Sequence, residues 1–197
     1  MRVTVSTFVG SIVDPALGAD AIVNASNPQV ALGSGVSGAI REACGAHTFQ
    51  QVVRDRWAEE FDEPLRPGDC LVTNAGSATG FRWVLHVPAV DYRVRDPETG
   101  GPSGPSRVTA CVESLLAEVV ELAGSAPWSI GRPFVLGLPL LGAGAGGLGE
   151  VASIRAMLRG LDRWDAASAP ESLVLDLRFA VLSDHTAELV RGAASLR

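Results

Sequence analysis

No apolar run in this chain of 197 residues approaches the roughly 18 that a membrane-crossing helix needs, so no membrane-spanning helix is expected. No secretory leader is expected either. The opening stretch Met1-Arg2-Val3-Thr4-Val5-Ser6 alternates like a strand and has neither a long apolar core nor a small-residue cleavage site, so the expected location is cytoplasmic. Cysteine is scarce. Cys44, Cys70 and Cys111 are an odd number at positions read as helix or strand, which suits free buried thiols better than a disulfide framework. Positive charge is short too, with 16 basic residues against 22 acidic ones and a net charge of −6. Displacing counterions from a nucleic-acid backbone takes clustered basic side chains, so general nucleic-acid binding is not expected. The nearest approaches to a cluster are Arg82, Arg93 and Arg95, offset by Asp91, Asp96 and Glu98, and the tail pair Arg191 and Arg197.

Several catalytic signatures are also missing. No Gly-x-Ser-x-Gly elbow exists, and no lysine follows either glycine-rich stretch as a phosphate-binding P-loop requires. Cys44 and His47 supply two potential ligands where a zinc site wants four, so neither a metal nor a resident cofactor is expected. What remains is an ordinary globular composition, 47% hydrophobic and 19% charged. A single domain over 1–197 fits this length, at which folding buries roughly 70% of the unfolded chain's surface.

Strands are expected at 2–9, 20–24, 69–73, 82–88, 134–140 and 173–182, and helices at 35–45, 46–60, 107–123, 149–162 and 185–192. Between 93 and 106 the sequence is rich in glycine and proline and reads as a mobile loop within one continuing fold. Helices alternating with apolar strands imply an α/β/α sandwich around a mixed, largely parallel sheet. Ligands of such sheets bind beyond the carboxyl ends of the strands.

Two glycine-rich loops stand at such positions. The first is Val23-Asn24-Ala25-Ser26-Asn27 leading to Gly33-Ser34-Gly35-Val36-Ser37-Gly38, and the second is Leu141 leading to Gly142-Ala143-Gly144-Ala145-Gly146-Gly147. Glycine lets a ligand approach the backbone, and the unpaired N–H groups and positive dipole of the next helix attract an anion. Two such loops facing each other would clamp a diphosphate. Asn24 and Asn27 could bond sugar hydroxyls; a single asparagine after a strand is more often a turn or cap residue, but two of them directly before Gly33-Ser34-Gly35 favour the sugar-binding reading. His86 on the apolar strand reads as a buried structural histidine rather than a general base. Gly142-x-Gly144-x-x-Gly147 also matches a dinucleotide fingerprint, but only one strand follows it, too little for the rest of that fold.

The run Asp20-Ala21-Ile22-Val23-Asn24-Ala25-Ser26-Asn27 followed by Leu32-Gly33-Ser34-Gly35-Val36-Ser37-Gly38-Ala39-Ile40 resembles the first signature of the macro domain family, modules that bind ADP-ribose. The second loop is similar to that family's other phosphate loop, and Val84-Leu85-His86-Val87 to its central strand. The resemblance implies that Asp20, Ala21 and Ile22 line the adenosine side and that Asn24 and Asn27 flank the loop, Asn27 facing the distal ribose. It also implies that Gly33, Ser34, Gly35, Val36 and Ser37, with Gly142, Ala143, Gly144, Ala145 and Gly146, cradle the diphosphate.

Three departures bear on mechanism. Ser11 stands where many macro domains carry an aspartate that accepts from the adenine amine, Ser37 where one hydrolytic branch has an aspartate, and Ala145 or Gly146 where that branch has an aromatic. The resemblance therefore implies binding of ADP-ribose or an ADP-ribosylated macromolecule. The first alternative is hydrolysis, releasing ADP-ribose from a modified protein or nucleic acid or phosphate from ADP-ribose 1''-phosphate, with Asn27 orienting the ribose. The second is an interaction module without a nucleotide ligand, its tryptophans Trp57, Trp83, Trp128 and Trp164 serving core or interface.

Overall fold

A computed structural model describes residues 2–125, 132–168 and 173–197; Trp128 lies outside them. The strands are β1 (Arg2–Val9), β2 (Ala21–Ala25), β3 (Leu71–Asn74), β4 (Trp83–Val87), β5 (Phe134–Leu138) and β6 (Val174–Val181). The helices are α1 (Gly35–Cys44), α2 (Ala46–Glu60), α3 (Pro105–Gly124), α4 (Glu150–Ser168) and α5 (Asp184–Ala194). Order and type follow the hydrophobic periodicity, with differences at the ends. Helix α3 begins at Pro105 rather than 107, since a proline at the first helical position costs no hydrogen bond. Helix α4 continues past 162 to Ser168.

All six strands join one sheet in the order β1-β6-β5-β2-β4-β3, parallel except for the β3–β4 pair. Because side chains alternate across a strand, Ile22 and its neighbours Ala21 and Val23 enter different cores. Ile22, with Val84 and Val135, meets Ile40 of α1 and Phe49 and Val53 of α2. Ala21 and Val23, with Leu85 and Leu136, meet α3, α4 and α5 through Leu115, Ile154 and Val190 among others. Helices thus cover both faces in three layers, as expected.

The stretch 93–106, expected to be mobile, is cross-tied. The Asp96 carboxylate accepts from the N–H groups of Glu98 (2.9 Å) and Thr99 (3.2 Å), Thr99 Oγ1 donates to Ser103 O (2.6 Å), and buried Ser103 Oγ donates to Ala89 O (2.7 Å). Asp91 N and Asp96 N close it with bonds to Pro102 O and Gly101 O. Polar side chains within the stretch satisfy the loop's own backbone.

The strand order also locates a crevice. Adjacent parallel strands β2 and β5 send their following helices, α1 and α4, to opposite faces, so the loops after them part at the carboxyl edge of the sheet. Such a switch point is where open α/β sheets hold ligands.

Candidate functional site

The loop after β2 is built on side-chain clamps. Asn27 Oδ1 accepts from Gln29 N (3.0 Å) and Ala31 N (3.3 Å), and its Nδ2 donates to Ala31 O (3.3 Å). Farther along, Gln50 of α2 reaches back with Oε1 accepting from Leu32 N (2.7 Å) and Nε2 donating to Val30 O (3.2 Å). Val30 stands at φ 50°, an uncommon conformation for a β-branched residue, and its burial together with the Gln50 clamp maintains it. Arg41 of α1 donates to Leu32 O (2.7 Å). The loop then enters α1 through Gly35 at φ +58°; Ser34, the N-cap, makes no side-chain capping bond. The N–H groups of Gly35, Val36 and Ser37 therefore donate to no acceptor among the described residues.

Beneath that helix start runs a buried polar chain. Ser37 Oγ donates to Asn24 Oδ1 (2.7 Å), Asn24 Nδ2 meets His86 Nδ1 (2.9 Å), and His86 Nε2 meets Thr73 Oγ1 (3.0 Å). With Asn24 donating to Nδ1, the imidazole carries its proton on Nε2 and gives it to Thr73. Asn24 and His86 are wholly buried, and desolvation lowers the His86 pKa to about 3. The histidine is a structural member of the sheet. Its linkage has a definite sign: a base whose folded pKa lies below its unfolded value of 6.5 contributes stability above that value and loses it as pH falls toward about 3. The loss is about 1.4 kcal/mol per pH unit in that window. NMR should find the His86 ring neutral, protonated on Nε2, down to pH 5; an imidazolium signal there would refute the buried chain.

The loop after β5 is tighter. Ser153 of α4 donates to Leu141 O (2.8 Å), Gly147 N bonds Gly144 O (2.9 Å), and Leu148 N bonds Gly142 O (3.1 Å). Gly142 has φ +74°, and a Cβ there would lie 2.4 Å from Ser103 Oγ, so the loop rests on the cross-tied 93–104 segment at a point only glycine fits. The N–H groups of Gly142, Gly144, Ala145 and Gly146 donate to no acceptor among the described residues, while Ala143 N is bonded to Leu140 O (3.4 Å).

The structure thus brings Gly33, Ser34, Gly35, Val36 and Ser37 to the same sheet edge as Gly142, Ala143, Gly144, Ala145 and Gly146. Three predicted residues lie elsewhere. Asp20 precedes β2, at the end opposite the loops, where its carboxylate accepts from Arg132 (2.6 and 3.0 Å) and from Val135 N (2.9 Å). Ala21 and Ile22 are fully buried beside it. Six residues of extended chain separate Asp20 from Ser26, about 20 Å at ~3.3 Å per residue. These three therefore hold the sheet rather than line the crevice. Asn27 spends its side chain on the loop's own backbone, and Asn24 spends its amide between Ser37 of α1 and His86 of β4. Cys44 is buried while His47 is exposed, so the two do not face a common site. All three cysteines are free and buried.

Sequence reading missed Gln50, Arg41, Ser103 and Ser153, which bond loop backbone. The partners of Gln50, Ser103 and Ser153 lie 12 to 20 positions away and those of Arg41 nine, so no local spacing marks them.

A family model, "Macro domain", matches residues 23–157, a span that contains both loops. Among curated proteins, the non-structural polyprotein p200 of Rubella virus (strain BRD1) is 33% identical over 150 residues, 76% of this chain but only 6% of that protein. An uncharacterised protein of Aquifex aeolicus (strain VF5) is 25% identical over 168 residues, 85% of this chain and 87% of its own length. Among solved structures, a variant of the Oceanobacillus iheyensis macrodomain with ADPR aligns with a TM-score of 0.75 at 18% identity, covering 96% of this chain and 91% of that one. The Trypanosoma brucei macrodomain in complex with ADP-ribose aligns at 0.68 and 21%, covering 96% and 68%. The family match runs through the strands whose ends form the crevice and through both loops that flank it, and this chain belongs to the Macro domain family.

Proposed function

We propose that this chain binds ADP-ribose, free or attached to a macromolecule, with the diphosphate between the first turn of α1 and the loop after β5. The observation that carries this is the set of seven backbone N–H groups, on Gly35, Val36, Ser37, Gly142, Gly144, Ala145 and Gly146, left without an acceptor beyond two neighbouring parallel strands. Backbone donors and a helix N-terminus suit an anion that needs no positive side chain, which reconciles phosphate binding with a net charge of −6. Solved relatives with ADP-ribose and ADP support the choice of ligand. Ser11, exposed in the loop after β1, offers an uncharged acceptor for the adenine end.

Binding without turnover is the reading the side chains favour. The Asn27 amide is spent on Gln29 and Ala31, the Ser37 hydroxyl on Asn24, and His86 is buried and neutral. A general base must reach the proton it removes and hold a pKa near the working pH, and none of these three does. A calorimetric titration with ADP-ribose, with ADP and ribose 5-phosphate as controls, tests the proposal. Micromolar or tighter binding of ADP-ribose is expected, and no heat with any of the three refutes it. Ser37→Ala should leave affinity within a few-fold, because the backbone N–H and not the hydroxyl is the donor.

A further inference from the structure

Among the described residues, the edge of the sheet farthest from β1 carries a strand template without a partner. Ala75 N donates to Arg82 O (3.0 Å), which makes 75 and 82 a hydrogen-bonded pair of the antiparallel β3–β4 ladder. Alternate residues of such a ladder exchange both bonds, so Thr73 and Leu71 face β4 while Val72 and Asn74 turn their N–H and C=O groups outward. That edge opens into a cavity of about 640 Å³ between the carboxyl ends of α2 and α3. Its walls combine apolar Phe61, Val72 and Leu122 with the carboxylates of Glu60, Glu118 and Glu121.

The charge is unbalanced. Arg56, the one basic residue among the described residues lining the cavity, is already shared between Glu59 and Glu60, while Glu118 and Glu121 have no cationic partner among those residues. Burial first, then the neighbouring Glu60 and Glu121, raise the Glu118 carboxyl above its ordinary range, so negative charge is crowded there. A second copy of this chain paired edge to edge would bring the same carboxylates face to face, which disfavours self-association.

We propose that the β3 edge is a docking site for an extended basic segment of another protein, which adds as a seventh strand on Val72 and Asn74 and sets an arginine or lysine against Glu118 and Glu121. Main-chain bonds supply the pairing, the apolar walls take alternate side chains, and the carboxylates select the charge.

Fluorescence anisotropy with a labelled peptide of alternating arginine and valine tests this. Saturable micromolar binding, weakened by added salt, is expected, and the matching glutamate–valine peptide should not bind. The double variant Glu118→Lys, Glu121→Lys should lose at least tenfold in affinity. Val72→Pro removes the outward N–H and also a side chain packed against the core, so a tenfold loss of affinity is expected together with a lowered thermal midpoint, and binding is read below that midpoint. Methylating alternate amide nitrogens of the peptide poses the same question from the ligand side, should Val72→Pro unfold the chain. No saturable binding, equal binding of the acidic peptide, or affinity indifferent to the lysine pair or to both strand-blocking changes would overturn the proposal.

Discussion

Gly35→Glu is expected to abolish ADP-ribose binding while the chain stays folded. Gly35 opens α1 at φ +58°, and a Cβ built there meets nothing within 4 Å, so the substitution costs left-handed strain but no clash. That strain is about 1–2 kcal/mol, and at roughly 2–4 °C per kcal/mol the unfolding midpoint should fall by less than about 8 °C. The effect on binding is of another order. A carboxylate at a helix N-terminus is itself stabilised by the free N–H groups and the dipole, so the new side chain becomes a resident anion where the phosphate would sit. The ligand would have to displace it and then endure like-charge repulsion in a partly desolvated site. Gly144→Phe makes the same point at the other loop: its backbone is not left-handed and its Cβ position is open, so bulk enters the crevice without strain. Calorimetry should detect no binding to either variant, with circular dichroism showing the parental fold. Tight binding by Gly35→Glu would move the phosphate site away from α1.

Asn24→Ala should cause the largest loss of stability. The amide joins Ser37 on one side to His86 on the other, at positions that are buried or nearly so. Removing it strands the His86 ring nitrogen and frees Ser37 to turn only to Ala25 O at 3.4 Å. An orphaned buried polar group costs about 1–3 kcal/mol, and lost packing adds to it, for a total of about 3 kcal/mol or more. At about 2–4 °C per kcal/mol the midpoint should drop by roughly 10 °C in a thermal melt. At a temperature where the variant stays folded, ADP-ribose affinity should remain within a few-fold, because the Ser37–Asn24 bond supports the first turn of α1 while the backbone N–H groups are the donors. A drop under about 2 °C would mean that the polar chain does not hold this part of the sheet together.

Much of the fold was legible because its determinants are local. The alternation of Val3, Val5 and Val9, the helical spacing of Val108, Cys111, Val112 and Leu115, and glycines directly after apolar strands identify elements and their order within a few residues. The helix-opening glycines likewise marked where the chain turns after β2 and β5. Asp20 and Asn27 show what a local reading leaves out. The first sits before its strand, and residues before and after a strand lie at opposite ends of it, so no loop after β2 can share its side chain. Asn27 bonds two and four residues ahead, an ordinary asparagine turn that competes with ligand contact.

By itself, then, the sequence determined which segments form strands and helices, where the chain turns, and that two glycine loops each open a helix, since these rest on periodicity and backbone freedom within a few residues. Only the tertiary structure decided that β2 and β5 lie side by side, which makes two separate loops into one crevice. It also decided that Asp20 belongs to Arg132, 112 residues away, that Gln50 holds the first loop, and that Ser103 lies under the second. These depend on strand order and long-range packing, which are set by the burial of the whole chain rather than by any pattern along it.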